Sequence, residues 1–228
     1  MIVFSRLFLF RCSLGLESEE GKTLVHMYDP EPENGKKPLL IDIHGGGFVK
    51  GRRDQDIVLC RSYASRTGYL VADIDYVPAP AMRYPGQVYA CYEVLQYLAE
   101  HAEERDVDCD RIIVMGHSAG GNLTAAICNF FAKMYTEPEL AKVPYCSPVF
   151  ATDTQLRQMP PTLMTYCDND MFCDEDEAFA NRLQSLGVPV AAKRFFYSGH
   201  GFLVQRRDEY EVAEKMIFGA LKALNEEK

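Results

Sequence analysis

Short apolar runs alternate with longer amphipathic segments along most of this chain. Such runs, when rich in β-branched residues, are typical of buried strands. They lie at residues 39–43, 69–74, 112–115, 162–167 and 190–197. Apolar residues at helical spacing predict helices at residues 54–68, 87–104, 122–134, around 179–186 and at 205–224. Strands that alternate with helices predict an α/β fold, with a mostly parallel central sheet covered by helices on both faces.

Two segments depart from this alternation. Residues 1–18 are apolar, but Arg6 and Arg11 interrupt them and no small-residue cleavage pattern follows, so we expect an N-terminal strand rather than a signal peptide. Residues 135–161 contain five prolines and no periodic pattern. A loop of that length in a compact domain is either functional or a sign of a missing segment. Residues 23–28 alternate as an edge strand does.

Composition narrows the class of protein. With 228 residues, 47% of them hydrophobic, the chain suits a single domain over residues 1–228. Its net charge of −9 and scattered basic residues argue against nucleic acid as a partner. No run approaches the ~20 apolar residues of a membrane span. The eight cysteines form no Cys-x-x-Cys pair, so we expect a reduced, cytoplasmic protein without a metal or cofactor.

The most informative motif joins a strand to a helix. Gly116-His117-Ser118-Ala119-Gly120 fits Gly-x-Ser-x-Gly. Glycine on both sides permits a strained turn in which a Cβ atom would collide with the flanking elements. The turn lifts the serine hydroxyl to a helix N-terminus, where free N–H groups favour developing negative charge. Ser118 is therefore a candidate nucleophile, with an ordinary glycine-rich turn as the alternative; His117 receives no role.

A second glycine-rich turn follows the first buried run. His44 is followed by Gly45, Gly46 and Gly47. Three consecutive glycines allow backbone N–H groups to approach a ligand, as an oxyanion hole requires. A flexible turn is the alternative interpretation.

Acidic residues and a histidine follow the last two buried runs. Asp168, Asp170 and Asp174 come after the run that ends at residue 167, and His200 comes after the final run. Serine, acid and histidine in this chain order, each after a strand, are the order of an α/β-hydrolase triad. Such a triad supports nucleophilic attack on an acyl carbonyl.

Together these motifs resemble those of the hormone-sensitive-lipase-like family of carboxylesterases. The glycine-rich motifs at residues 44–47 and 116–122, the acidic segment 170–175 and His200-Gly201-Phe202 stand in that family's order. The resemblance implies the α/β-hydrolase fold. It also implies a serine carboxylesterase that hydrolyses short-chain acyl or acetyl esters through an acyl-enzyme intermediate. The expected partner is therefore a small-molecule ester substrate.

The resemblance further implies a role for each site residue. The implied triad is Ser118, Asp170 and His200, and the implied oxyanion donors are the N–H groups of Gly46, Gly47 and Ala119. Asp170 is preferred to Asp168 because Phe172 and the pair Asp174-Glu175 then match the family pattern.

The chain also departs from the family pattern. The family has a strand-helix unit after the nucleophile helix, and this unit is missing here. The cap helices are missing as well, so we expect a cap that is reduced or absent. Loss of one strand would move Asp170 and His200 toward Ser118 by roughly 4.8 Å. Because a misplacement of ~1 Å can cost about 100-fold in rate, a non-catalytic or weakly active binding protein on the same fold is the alternative function.

Overall fold

The apolar runs lie side by side as strands of one sheet. The structure is a computed structural model and describes residues 4–7, 23–30, 35–134 and 148–226. In these residues the strands are β1 Phe4–Leu7, β2 Leu24–Tyr28, β3 Lys37–Ile43, β4 Leu70–Asp75, β5 Val107–Gly116, β6 Thr162–Asn169 and β7 Val190–Gly199. Their order across the sheet is β2-β4-β3-β5-β1-β6-β7, and the described strands other than β1 and β2 run in one direction. The predicted mostly parallel sheet and its edge strand β2 are confirmed.

Helices cover both faces of this sheet. In the described residues they are α1 Asp54–Thr67, α2 Gly86–Glu100, α3 Ala119–Met134, α4 Asp153–Leu156, α5 Cys173–Ser185, α6 Phe202–Gln205 and α7 Tyr210–Glu226. Side chains of α2, α3 and α5 pack in one core cluster with Leu39 and Ile41 of β3. Those of α1, α6 and α7 pack in a second cluster with Leu40. Because successive strand residues point to opposite faces, β3, buried at all its positions, contributes to both layers.

The N-terminal strand lies between β5 and β6. It pairs antiparallel with both: Arg6 is paired with Ile113 of β5, and Ser5 with Thr162 of β6. Two strand spacings of about 4.8 Å therefore separate β5 from β6. The inward displacement expected from the missing strand is not observed, because β1 occupies that space. The sequence predicts this strand but not its position.

The prediction of a long loop over residues 135–161 is wrong in part. Residues 135–147 lie outside the described residues. After them, Pro148–Phe150 form a 3₁₀ turn that leads into α4. Arg182 of α5 donates to two backbone carbonyls of this segment at 2.7 Å each, and Leu156 is fully buried. Elements of three and four residues are too short to show a helical period in the sequence.

The C-terminal helix predicted over residues 205–224 begins later, at Tyr210, and the short helix α6 ends at Gln205. Arg206 and Asp208 have φ angles of 53° each, which separate α6 from α7. A left-handed backbone at a non-glycine residue ends a right-handed helix.

The expectation of a reduced or absent cap falls partly on residues 8–22 and 135–147, which lie outside the described residues. None of the helices in the described ranges is both long and apolar enough to cross a membrane.

Candidate active site

The turn between β5 and α3 holds Ser118 in a strained conformation. Its φ angle is 54°, which costs a non-glycine residue free energy and is expected at a nucleophile elbow. The flanking glycines allow close approach of the turn to β3. A Cβ atom on Gly120 would lie 1.8 Å from the carbonyl oxygen of Ile43, and one on Gly116 would lie 2.4 Å from that of Gly120. The collision expected from the sequence is therefore present at both positions.

The Ser118 hydroxyl is the first group in a hydrogen-bonded series of three side chains. Its Oγ lies 2.8 Å from Nε2 of His200, and Nδ1 of His200 lies 2.7 Å from Oδ2 of Asp170. The His200 side chain is 44% exposed, whereas that of Asp170 is 5% exposed. The other Asp170 oxygen accepts the N–H of Phe172 at 3.1 Å. An Nδ1–H donated to Asp170 leaves the Nε2 lone pair directed at the serine hydroxyl.

The two candidate acids have different partners. Asp168 forms an ion pair with Arg194 of β7, and Arg194 also binds Glu177 at 2.9 Å. Asp170 instead contacts His200. The geometry therefore brings Asp170, and not Asp168, to the histidine.

The glycine-rich loop after β3 adopts a backbone that favours glycine. Gly46 and Gly47 have φ angles of 135° and 61°, and the N–H groups of Val49 and Lys50 donate to the Gly46 carbonyl at 3.2 and 3.0 Å. The turn packs against the elbow, because a Cβ atom on Gly45 would lie 2.9 Å from the ring of the residue before Ser118. Ala119 lies at the other side of the elbow, as the buried first residue of α3.

Several residues that the sequence reasoning missed hold this loop in place. The buried ring of His44 stacks on Tyr76, with centroids 4.3 Å apart and planes inclined by 8°. The Tyr76 hydroxyl donates to the His44 carbonyl at 3.3 Å, and burial raises the pKa of Tyr76, so it stays a donor. Gln87 of α2 donates to the carbonyl of Phe48 at 3.0 Å. The only sequence signal for these anchors was that polar residues lie within or beside apolar runs.

A pocket open to solvent lies beside Ser118, and its volume of about 380 Å³ includes adjoining solvent space. Its lining comes from the elbow, the end of β6 and α6: His117, Ser118, Thr165, Tyr166, Cys167, Asp170, His200, Gly201, Phe202, Leu203 and Val204. Burial raises the pKa of the Cys167 thiol to about 11, so this cysteine is a neutral wall of the pocket rather than a nucleophile.

One buried group in the described residues has metal-ligand chemistry. The side chains of Asp42, Cys60 and Asp73 offer ligand atoms within 4.8 Å of one another. However, Arg52 forms an ion pair with Asp73, and the Cys60 thiol donates to Asp42 at 3.5 Å. Burial, and then the neighbouring Asp73, raises the pKa of Asp42 well above its ordinary range. The three side chains are therefore already engaged by Arg52 and by the thiol hydrogen bond.

Comparisons with known proteins agree with this architecture. A family model described as the α/β-hydrolase fold matches residues 40–132 and 126–204. An α/β hydrolase of Acanthamoeba polyphaga mimivirus is 26% identical in an alignment of 220 positions that covers 77% of this chain and 64% of that protein. An arylesterase of Saccharolobus solfataricus is 25% identical in an alignment of 253 positions that covers 90% of this chain and 80% of that protein. The structure of an esterase from Pyrobaculum calidifontis has a TM-score of 0.76 and 26% identity, covering 89% of this chain and 81% of that one.

Proposed function

The chain belongs to the α/β hydrolases, in their hormone-sensitive-lipase-like branch, and we propose that it is a serine carboxylesterase that hydrolyses short-chain acyl or acetyl esters. One observation carries this proposal: the hydrogen-bonded series from buried Asp170 through His200 to Ser118, with Ser118 on a strained turn. A merely structural serine has no need of a strained backbone and a histidine aligned by a carboxylate.

The proposed reaction proceeds in two halves. Ser118 Oγ attacks the ester carbonyl while Nε2 of His200 takes its proton, and Asp170 stabilises the imidazolium that forms. The tetrahedral intermediate collapses, and the leaving alcohol takes the proton from His200. A water molecule then attacks the acyl-enzyme with His200 again as base, which releases the acid and restores the serine.

The oxyanion of each tetrahedral intermediate requires fixed donors. We assign this role to the N–H groups of Gly46, Gly47 and Ala119. The positive φ angles of the two glycines and the place of Ala119 at a helix N-terminus support the assignment. Loss of one such donor costs about 10²- to 10³-fold in kcat.

The preference for short acyl groups rests on the shape of the pocket. It is small and open to solvent, so it can bury the first few carbons of an acyl chain. Each buried CH₂ contributes about 0.8 kcal/mol, or about fourfold in kcat/KM, and carbons beyond the pocket contribute little.

Hydrolysis of nitrophenyl esters tests the nucleophile. Ser118→Ala is expected to abolish hydrolysis of nitrophenyl acetate and to leave thermal unfolding unchanged, because only a hydroxyl is removed. An active Ser118→Ala variant would contradict the role of Ser118, and an inactive wild-type enzyme would favour the non-catalytic alternative.

A series of acyl lengths tests the substrate class. We expect kcat/KM to increase from acetyl to butyryl and then to level off. A steady increase out to octanoyl would show a deep acyl pocket and overturn the short-chain assignment.

A further inference from the structure

The residue before the nucleophile is buried against the glycine-rich loop. His117 is 7% exposed, and its Nε2 lies 3.1 Å from the backbone nitrogen of Gly45. The Cδ2–Nε2 edge of the ring lies close to Gly45, since a Cβ atom on Gly45 would lie 2.9 Å from Cδ2 and 3.0 Å from Nε2. The hydrogen bond joins the nucleophile elbow directly to the loop that supplies the proposed oxyanion donors, which begin one residue later.

A second group competes for the same ring nitrogen. Oδ1 of Asp56, in the first turn of α1, lies 3.3 Å from Nε2 of His117. When Nε2 of the neutral ring holds a lone pair, it accepts the Gly45 N–H. When Nε2 is protonated it can only donate, and Asp56 is then the acceptor. Both arrangements cannot hold at once. Asp56 Oδ1 has no hydrogen-bond donor in the described residues, so it is available for the second one.

We propose that His117 is a positioning residue for ester hydrolysis: its neutral ring holds the Gly45 amide and thereby the oxyanion loop, and its protonation transfers the ring to Asp56 and releases that amide. This inference rests on the proposed esterase function. It assigns no contact between His117 and the reacting atoms, and it explains why a polar ring is buried beside the nucleophile.

The charged groups around His117 set the direction of this switch. Asp56 and Arg53 face it from the start of α1, His44 faces it from directly after β3, and Ser118 and His200 line the same pocket. Burial lowers the pKa of His117, and Asp56 partly opposes this. The ring is therefore neutral at and above neutral pH, and release of Gly45 belongs to the acid side. Two histidines, His117 and His200, must then be neutral for full activity.

Two substitutions of similar length separate positioning from packing. In His117→Gln, Oε1 stands the same number of bonds from Cβ as Nε2 and can accept the Gly45 N–H, whereas His117→Met fills the space without an adequate acceptor. At pH 8 we expect His117→Met to lose about 10- to 100-fold in kcat with little change in KM, because the oxyanion donors act mainly in the transition state. His117→Gln should recover most of that loss. Equal rates for wild type and His117→Met, or equal losses in both variants, would overturn the proposal.

The pH profile tests the switch itself and does not depend on the Met variant folding. In wild type, the slope of log kcat/KM against pH should be steeper than one on the acid side, because two protonations inactivate the enzyme. In His117→Gln this slope should be one. Asp56→Asn keeps an acceptor for the Arg53 N–H but removes the charge that stabilises the imidazolium, so its second protonation should move to lower pH. Identical acid limbs in wild type and His117→Gln would refute the switch. The thermal unfolding midpoint, measured at each pH, excludes denaturation as the cause of the fall in kcat/KM on the acid side.

Failure of this inference can be told apart from failure of the proposed function. If wild type does not hydrolyse nitrophenyl acetate, or Ser118→Ala does so equally well, the esterase proposal fails. If wild type hydrolyses it through Ser118 and the His117 variants match wild type in rate and acid limb, only the positioning role fails.

Discussion

Asp170 meets His200 because the two strands before them end as paired neighbours, after a shift in register between Cys167 and Asn169. Asn169, the last residue of β6, is paired with Gly199, the last residue of β7, so the two following side chains leave the sheet together. Asp168 directly precedes Asn169, and its carboxylate forms an ion pair with Arg194. A difference of two positions along one strand end thus separates a carboxylate that contacts His200 from one in a surface ion pair.

Substitution of the two aspartates tests this distinction. Asp170→Asn should reduce kcat by about 10⁴-fold, the loss seen for the equivalent change in a serine-protease triad, because the imidazole is then held in the wrong tautomer. Asp168→Asn is the matched control and should change kcat less than tenfold, since an exposed ion pair contributes little. Steady-state kinetics on nitrophenyl acetate decide between them. A larger loss in Asp168→Asn would reverse the assignment.

At the residue scale, the sequence predicted which three side chains lie together at the site, but not the residues that support them. The order of Ser118, Asp170 and His200 after three strands follows from local motifs, which is why these residues could be named. The residues that anchor the glycine-rich loop after β3 could not be named. Tyr76 and Gln87 reach that loop from elements far along the chain, and a contact of that kind leaves no local pattern.

Strand β1 is the element on which the spacing of the site depends. It separates β5, which leads to Ser118, from β6, which leads to Asp170. The boundaries of β3, β4, β6 and β7 could be predicted to within a few residues, because buried strands show apolar runs. The place of β1 in the sheet could not be predicted, since any sequence that can adopt an extended conformation would form the same backbone hydrogen bonds to β5 and β6.

A proline in β1 tests the role of this strand. Ser5 is paired with Val114 on one side and Thr162 on the other, so Ser5→Pro removes a donor from a strand with neighbours on both edges. We expect a lower thermal midpoint and a loss of at least about 100-fold in kcat/KM, since displacements of ~1 Å are costly. Ser5→Ala retains the backbone donor and should stay close to wild type. Full activity and stability in Ser5→Pro would show that the spacing does not depend on β1.

For the molecule as a whole, a buried carboxyl cluster makes stability depend on pH. Asp42 and Asp73 are paired residues on β3 and β4, both fully buried. Burial, and then Asp73, raises the pKa of Asp42, so the folded state holds its proton more tightly than the unfolded chain does. The stability that the protonated Asp42 carboxyl contributes is complete below the pKa of Asp42 in the unfolded chain. It is lost as pH rises through the pKa of Asp42 in the folded state.

Replacement of Asp42 by its neutral isostere should remove this loss. We expect Asp42→Asn to raise the thermal midpoint at pH 8 by at least about 2 °C, given about 2–4 °C per kcal/mol for a chain of this size, with a smaller gain at pH 5. Asp110→Asn, at an exposed position, controls for the loss of one negative charge. Thermal unfolding across pH measures both. A gain that shrinks as pH rises would contradict a raised pKa of Asp42 in the folded state.

Covalent labelling by an organophosphonate tests the proposed catalytic machinery most directly, because it requires nucleophile, base and oxyanion donors together. Intact-mass spectrometry and peptide mapping would follow the wild-type enzyme, Ser118→Ala and His200→Ala. We expect one adduct per wild-type chain, on Ser118, none in Ser118→Ala, and much slower labelling in His200→Ala. Absence of an adduct in wild type, an adduct on another residue, or equal labelling of His200→Ala would contradict the assembled triad.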